Sequence, residues 1–187
     1  SAFPCLVFDY GFLGGEGDTD TIAVQIARDV QTRMLFAHVV PKKGLVAEHG
    51  VAQMLKDIDR IGHTRMCLKS DGEAALIAIQ QKVKQSRSHE TILENSPVGD
   101  SQANGIAERA VQAIAEQVRV LRCGLEHKIG AKLSANHPVM CWLVEHAADL
   151  LNKYQKGEDG KTAYQLHKGK PWSHEVVEFG EKVHYRL

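Results

Sequence analysis

Three acids fall where a fold would expose them for chemistry. Asp9 closes an apolar run at residues 4–10 (PCLVFDY), Asp71 follows directly on residues 65–69 (RMCLK), and Glu108 stands early in a long helical pattern. In an α/β sheet, strand ends and helix starts are where ligands collect. Three carboxylates converging on one point repel each other strongly unless a cation holds them. Hard divalent ions such as magnesium prefer oxygen ligands, keep several waters and bridge to phosphates. Two such ions, about 4 Å apart, activate an attacking oxygen and stabilise a leaving one in an in-line phosphoryl displacement. The chain holds 23 acids, so some reach strand ends by chance. As alternatives, Asp71 could cap a helix and Glu108 could serve only the helix dipole.

The elements that must position these acids are marked by periodicity and turn residues. Residues 4–10 suit a buried strand, and a loop rich in Gly and acid follows at 11–20. Two strand-like stretches, 21–27 and 34–40, are separated by a polar turn region at 28–33, and this short spacing predicts an antiparallel meander. From 45 to 61 the apolar residues Val51, Met54, Leu55, Ile58 and Ile61 form a helical stripe. Residues 65–69 read as a fourth strand, Ser70 is placed to cap a helix over 72–85, and 90–94 reads as a fifth strand. Residues 95–102 (NSPVGDSQ) are turn chemistry throughout. A long helix is expected over 104–125, with Val111, Ile114, Val118 and Leu121 as its buried stripe. Another begins near His137 and Pro138, Pro being tolerated in a first turn, and runs to about 151. A Gly- and Lys-rich loop at 156–161, a short helix at 162–167 and a last strand near 182–186 close the chain. A meander followed by strands alternating with helices predicts an α/β fold, a mixed sheet with helices on its faces.

At 187 residues a single domain is the expectation, with a core over 1–155 and an extension over 156–187 packed on it or trailing it. The chain opens on Ser rather than Met, as a piece of a longer protein would. Its 43% hydrophobic and 25% charged residues are the balance of an ordinary globular protein. No apolar run approaches the ~18 residues of a membrane span, and a basic-then-apolar secretory pattern is missing from the N-terminal residues. The 23 Lys and Arg cancel the 23 acids, which argues against gripping nucleic acid by bulk electrostatics. Charge is nonetheless uneven: residues 1–40 carry five acids and two bases, residues 41–70 six bases and three acids, which leaves room for a local basic face. Cys5, Cys67, Cys123 and Cys141 lack zinc-ligand spacing and sit among apolar neighbours, so buried free thiols in a reducing compartment are expected. The ten His, His127 and His137 included, show no metal-ligand spacing either.

The local sequences around the three acids add a resemblance. FDYGFLG around Asp9, LKSDGEAAL around Asp71 and SPVGDSQANGIAERAVQAI around Glu108 resemble the catalytic core of retroviral and long-terminal-repeat retrotransposon integrases. That family carries a strand-end Asp, a second Asp in a (T/S)D(N/G)G-type turn and a Glu inside (Q)xNGxxER. Between Asp71 and Glu108 lie 36 residues, close to the family's usual separation. HPVMCWLVEHAADLLNKY and KTAYQLHKGKPWSHEVVEFGEKVHYR resemble the stretches that follow the core in retrotransposon polyproteins, in the same order.

The resemblance implies a ribonuclease-H-like fold, a five-stranded mixed sheet flanked by helices, which agrees with the order of elements read independently above. It implies that Asp9, Asp71 and Glu108 bind two Mg2+ or Mn2+ ions, Asp9 bridging them. It further implies nicking at the 3′ ends of element DNA followed by transfer of those ends into target DNA. Double-stranded DNA would be the partner, a homodimer or higher oligomer the working form, and the nucleus the site of action after a cytoplasmic particle stage. Two other readings stay open: a domesticated, inactive module for DNA docking or dimerisation, and a ribonuclease-H-type nuclease with Glu73 as a fourth acid.

Further residues are candidates for DNA contact. Gln102 and Asn104, in a segment resembling the family's active-site loop with Pro97, Gly99 and Ser101, could meet a DNA end or be plain loop and cap residues. Gly72 would let the backbone turn sharply beside Asp71. Arg119 lies eleven positions after Glu108, about 20° round a helix and roughly 16 Å along it, so it shares that face and could meet a phosphate. Lys42, Lys43 and Lys69 could contact a DNA backbone, the alternative for each being a solvated charge. Where retroviral relatives usually carry a Lys one turn after the Glu, this chain has Gln112, which weakens end binding by the core alone. The family's zinc-binding N-terminal module and basic C-terminal domain have no counterpart in these residues, in keeping with the zero net charge.

Overall fold

The computed structural model describes residues 3–14, 20–40, 46–96 and 101–182. Its strands are β1 (Cys5–Leu13), β2 (Ile22–Asp29), β3 (Leu35–Val40), β4 (Met66–Ser70) and β5 (Thr91–Asn95). Its helices are α1 (Val46–Ile61), α2 (Ala74–Ser86), α3 (Ser101–Ile129), α4 (Val139–Tyr154) and α5 (Ala163–Lys168). The sheet runs β3-β2-β1-β4-β5, antiparallel through the first three strands and parallel from β1 through β4 to β5. This is the ribonuclease-H-like arrangement, a five-stranded mixed sheet with helices on both faces.

Period-two alternation along the strands divides the core into two layers. Leu6 and Phe8 of β1, Phe36 of β3 and Met66 and Leu68 of β4 face one way, against Met54 and Ile58 of α1 and Leu76, Ile79 and Val83 of α2. Val24 and Ile26 of β2 and Leu35 and Ala37 of β3 face the other way, against Ile114 and Val118 of α3 and Leu143, Val144 and Ala147 of α4. Polar groups lock the layers together. The Asn152 carboxamide accepts from the Leu35 amide at 2.8 Å and donates to the Leu35 carbonyl at 2.7 Å, so α4 continues the hydrogen bonding of edge strand β3. Gln80 of α2 donates to the carbonyls of Leu68 and Glu94 and ties β4 to β5.

Several boundaries differ from the sequence reading, each for a tertiary reason. β1 runs through Gly11 to Leu13 where a loop was expected, because Gly11, Phe12 and Leu13 pair with Val24, Ala23 and Ile22. β2 continues to Asp29, inside the expected turn region. α3 begins at Ser101, inside the expected turn, and passes Gly124 to reach Ile129. Ser70 does not cap α2, which starts at Ala74 with Glu73 at its cap; the Ser70 hydroxyl donates to the Asp71 carbonyl instead. Only Cys67 is buried, Cys5 is half-buried, and Cys123 and Cys141 are exposed on helix surfaces. The strand expected near 182–186 lies almost wholly outside the described residues. Among the described residues no helix is long and apolar enough to cross a membrane.

Candidate active site

Strand alternation aims Asp9 at α3. Leu6 and Phe8 point to α1 and α2, so Val7, Asp9 and Gly11 present the opposite face. On that face α3 comes close at Gly11: a Cβ there would meet a Val111 methyl at 3.1 Å and the Ile26 Cδ1 at 3.0 Å. Glu108 stands almost one turn before Val111, as Asp9 stands two residues before Gly11. The missing side chain at Gly11 therefore lets the helix bearing Glu108 settle beside Asp9.

Register supplies the third acid. Cys5, Leu6 and Val7 lie opposite Cys67, Leu68 and Lys69 across the parallel β1–β4 pair. The pairing ends at Val7 and Lys69, so Asp9 on β1 and Asp71 just past β4 each stand two residues beyond it, at the same end of the β1–β4 pair. The structure corrects one expectation: Asp9 is not at the end of its strand but at the centre of the nine-residue β1, level with the end of the shorter β4.

The other acids are felt electrostatically at Asp9. Burial raises its carboxyl above the usual range, a hydrogen bond from the Tyr10 amide at 2.7 Å opposes that, and the negative charges of Asp71, Glu73 and Glu108 raise it further. Asp71 accepts from the Glu73 amide at 3.0 Å, while Glu108 is exposed. Among the described residues no Lys, Arg or His pairs with any of the three. Nor do any three acid, His or Cys side chains among them stand ready-gathered around one point as ligands. The donor set is nonetheless that of a hard divalent ion: carboxylate oxygens, half-exposed, with unneutralised charge.

The remaining candidates are dispersed. Lys69, half-buried on β4, stands two residues before Asp71 and opposite Val7 and Glu94. Arg119 is exposed on α3. Gln102 and Asn104 lie in the first turns of α3. Lys42, Lys43, Pro97 and Gly99 lie outside the described residues.

Two titratable clusters escaped the sequence reading. At the end of β2, Asp29 is fully buried and accepts from the Thr32 amide (2.8 Å), the Thr32 hydroxyl (2.6 Å) and His63 Nε2 (2.9 Å). On β3, His38 bridges Asp57 of α1 and Glu145 of α4 at 3.0 and 3.1 Å. Burial alone would lower His38, but the two carboxylates outweigh it and raise it overall. His38, Asp57 and Glu145 are remote in sequence, and no spacing announces them.

No known family's sequence profile matches the chain, and no curated protein matches it by sequence. Solved structures do. The BIV integrase catalytic core domain superposes with a TM-score of 0.60 at 16% identity, over 88% of this chain and 93% of that one. The HTLV-2 integrase catalytic core domain in complex with magnesium, in a dimeric form, gives 0.61 at 13% identity, over 89% and 95%. A chain of the simian T-cell lymphotropic virus intasome bound to the PP2A regulatory subunit B56 gamma gives 0.65 at 13% identity, over 97% of this chain and 60% of that one. The fold is that of retroviral integrase catalytic cores.

Proposed function

We propose that this chain is the catalytic core of a retroelement integrase, a polynucleotidyl transferase that nicks the 3′ ends of element DNA and joins them to target DNA. The observation that carries the reading is the charge balance at Asp9, whose carboxylate is opposed by those of Asp71 and Glu108 while no Lys, Arg or His among the described residues pairs with them, on the fold of integrase cores. Asp9, Asp71 and Glu108 would hold Mg2+ or Mn2+, two ions in all. Bound there, such ions supply Lewis acidity to phosphate oxygens and lower the pKa of an attacking water or hydroxyl. A magnesium complex of an HTLV-2 core with this fold supports the choice of cation.

The protein's own part is placement. The Tyr10 amide fixes one Asp9 oxygen, and the Glu73 amide fixes one of Asp71, so each carboxylate keeps lone pairs free for a ligand. Asp9 lies within β1 and Asp71 follows directly on β4, while Glu108 rides on a helix whose preceding residues are rich in turn formers. Double-stranded DNA is the substrate in this reading, the nucleus the place of action, and a polyprotein the source of the chain.

The test is nicking and strand transfer on a branched or blunt DNA duplex with Mn2+. The wild-type chain turns over, and Asp71→Asn loses at least ~100-fold, the upper end of what disturbing only a ligand's supporting hydrogen bond costs. Equal rates in the two proteins would sink the catalytic assignment and favour a DNA-docking module without activity. One observation favours a second reading: Glu73 also acts on Asp9, as the fourth acid of a ribonuclease H would. Cleavage of an RNA–DNA hybrid in preference to duplex DNA identifies that case.

Self-association belongs to the same proposal. Trp142 of α4 is 72% exposed beside a cleft shared with His49 and Gln53 of α1 and Val39 of β3. A large exposed aromatic at such a place fits an interface with a second copy. Sedimentation should show a dimer that Trp142→Glu converts to monomer; a monomeric wild type would contradict this.

A further inference from the structure

A second charged feature stands on the other flank of α3, and its sign is opposite. A cleft of about 330 Å3 opens between β2, α3 and the segment after α4, lined by Arg28, Arg33, Arg109 and Lys156 against one acid, Glu116. The whole chain is electrically balanced and Arg33 is paired with Asp159, so the remaining three cations to one anion around one concavity are a local excess. Such excess destabilises a fold unless something of opposite sign relieves it.

Arg28 shows where that repulsion falls. It lies on β2, on the face covered by α3 and α4, opposite Val7 and Leu35. Burial, Arg109 and Arg33 all weaken its hold on its proton. Among the described residues no carboxylate or carbonyl pairs with it. A half-buried guanidinium presents five donors, and leaving them without an acceptor is costly.

The cleft is also built rather than incidental. Arg33 has a backbone φ of 64°, a left-handed conformation rare for a side-chain-bearing residue. From there its guanidinium donates to Asp159 Oδ1 at 2.8 Å and to the Lys161 carbonyl at 2.9 Å. It lies so close over Gly157 that any Cβ there would collide with it. The bridge between Lys156 and Thr162 closes the same turn. Arg33 thus staples the segment carrying Lys156 to the sheet and leaves Arg28, Arg109 and Lys156 facing one space.

We infer that this cleft is a phosphate site, in which Arg28, Arg109 and Lys156 receive the oxygens of a phosphate group while Arg33 holds the wall. Planar guanidinium forks match phosphate oxygens bidentately, and Lys adds a point charge. The site is separate from the carboxylates: Arg109 and Glu108 are neighbours on α3 but face different flanks. The inference does not rest on the catalytic reading and stands or falls without it. Two sources offer the same chemistry, a phosphodiester of bound DNA and a free phosphate or small phosphate ester.

The experiment titrates the whole chain with inorganic phosphate, followed by NMR at the Arg28 Nε–H, and in parallel with a fluorescent DNA duplex. Wild type should show saturable shifts centred on Arg28. Arg109→Gln and Lys156→Gln change exposed residues, so they fold, and each should weaken phosphate binding about tenfold. Glu116→Gln, which removes the opposing charge, should tighten it severalfold, and Lys82→Gln on α2 should change nothing. If the first two variants also weaken duplex binding and lower its salt slope by about 1 each, the phosphate is a DNA backbone's. If duplex binding is unchanged while phosphate binding falls, the site serves a free phosphate or small ester. The absence of saturable shifts at Arg28, or shifts indifferent to Arg109→Gln and Lys156→Gln, overturns the inference, as does a Glu116→Gln protein that binds no better than wild type.

Discussion

Two carboxylates of the same sheet, Asp29 and Asp9, meet opposite treatment. Asp29, fully buried at the end of β2, has three donors from Thr32 and His63. Asp9, half-buried at the centre of β1, has one donor from Tyr10 and three acids for company. A buried charge that serves the fold is surrounded by partners until its desolvation is offset. A charge kept under repulsion serves something that is not part of the chain, and strain of this kind gathers at functional sites. The difference separates an acid that holds the β2–β3 turn in place from one that the fold leaves under repulsion.

The largest effect should come from breaking the satisfied member. Asp29→Ala leaves the Thr32 amide and His63 without their acceptor and should cost about 3 kcal/mol. For a chain of this size that is roughly 6–12 °C in Tm, readable by calorimetry. A loss under ~1 kcal/mol would show that Asp29 is not the anchor described.

The strained member should respond the other way. Asp9→Asn keeps the oxygen bonded to Tyr10 and removes the charge opposed by Asp71, Glu73 and Glu108. It should stabilise the metal-free chain by up to about 1 kcal/mol, discounted because the group is half in water, while ending any metal-dependent activity. Its pH signature has a definite sign. Because the folded value of Asp9 lies above the unfolded carboxylate value of about 3.9, the folded chain holds that proton more tightly. The resulting stability is full below that value and is lost as pH rises through the folded one. Wild type should therefore lose stability relative to Asp9→Asn on going from acid to neutral pH; a gap that stays constant would contradict the repulsion.

Much of this architecture is legible before any coordinates. The apolar run at residues 4–10, the stripe at Val51, Met54, Ile58 and Ile61, and the turn residues between them give the five strands and the long helices in order. The boundaries are not legible where tertiary contact overrides local signal. Gly11 reads as a loop residue, yet it belongs in β1 because α3 needs the space of its absent side chain. The long helix is expected to stop at 125, yet α3 continues to Ile129. The three acids are visible through the motifs around them, whereas the approach of α3 to β1 depends on Val111 reaching Gly11. The pairing of Asn152 with Leu35, the His38 cluster and the Arg28 cleft join residues far apart along the chain, so no local pattern could have shown them.

The central claim is that Asp9, Asp71 and Glu108 act as one cation-binding unit. Calorimetric titration of Mn2+ into wild type and Glu108→Gln tests it most directly, because Glu108 is exposed and its amide leaves the fold intact. The account predicts saturable binding in the wild type that weakens at least ~10-fold in the variant. Identical isotherms for the two proteins, or no binding heat in either, would contradict it.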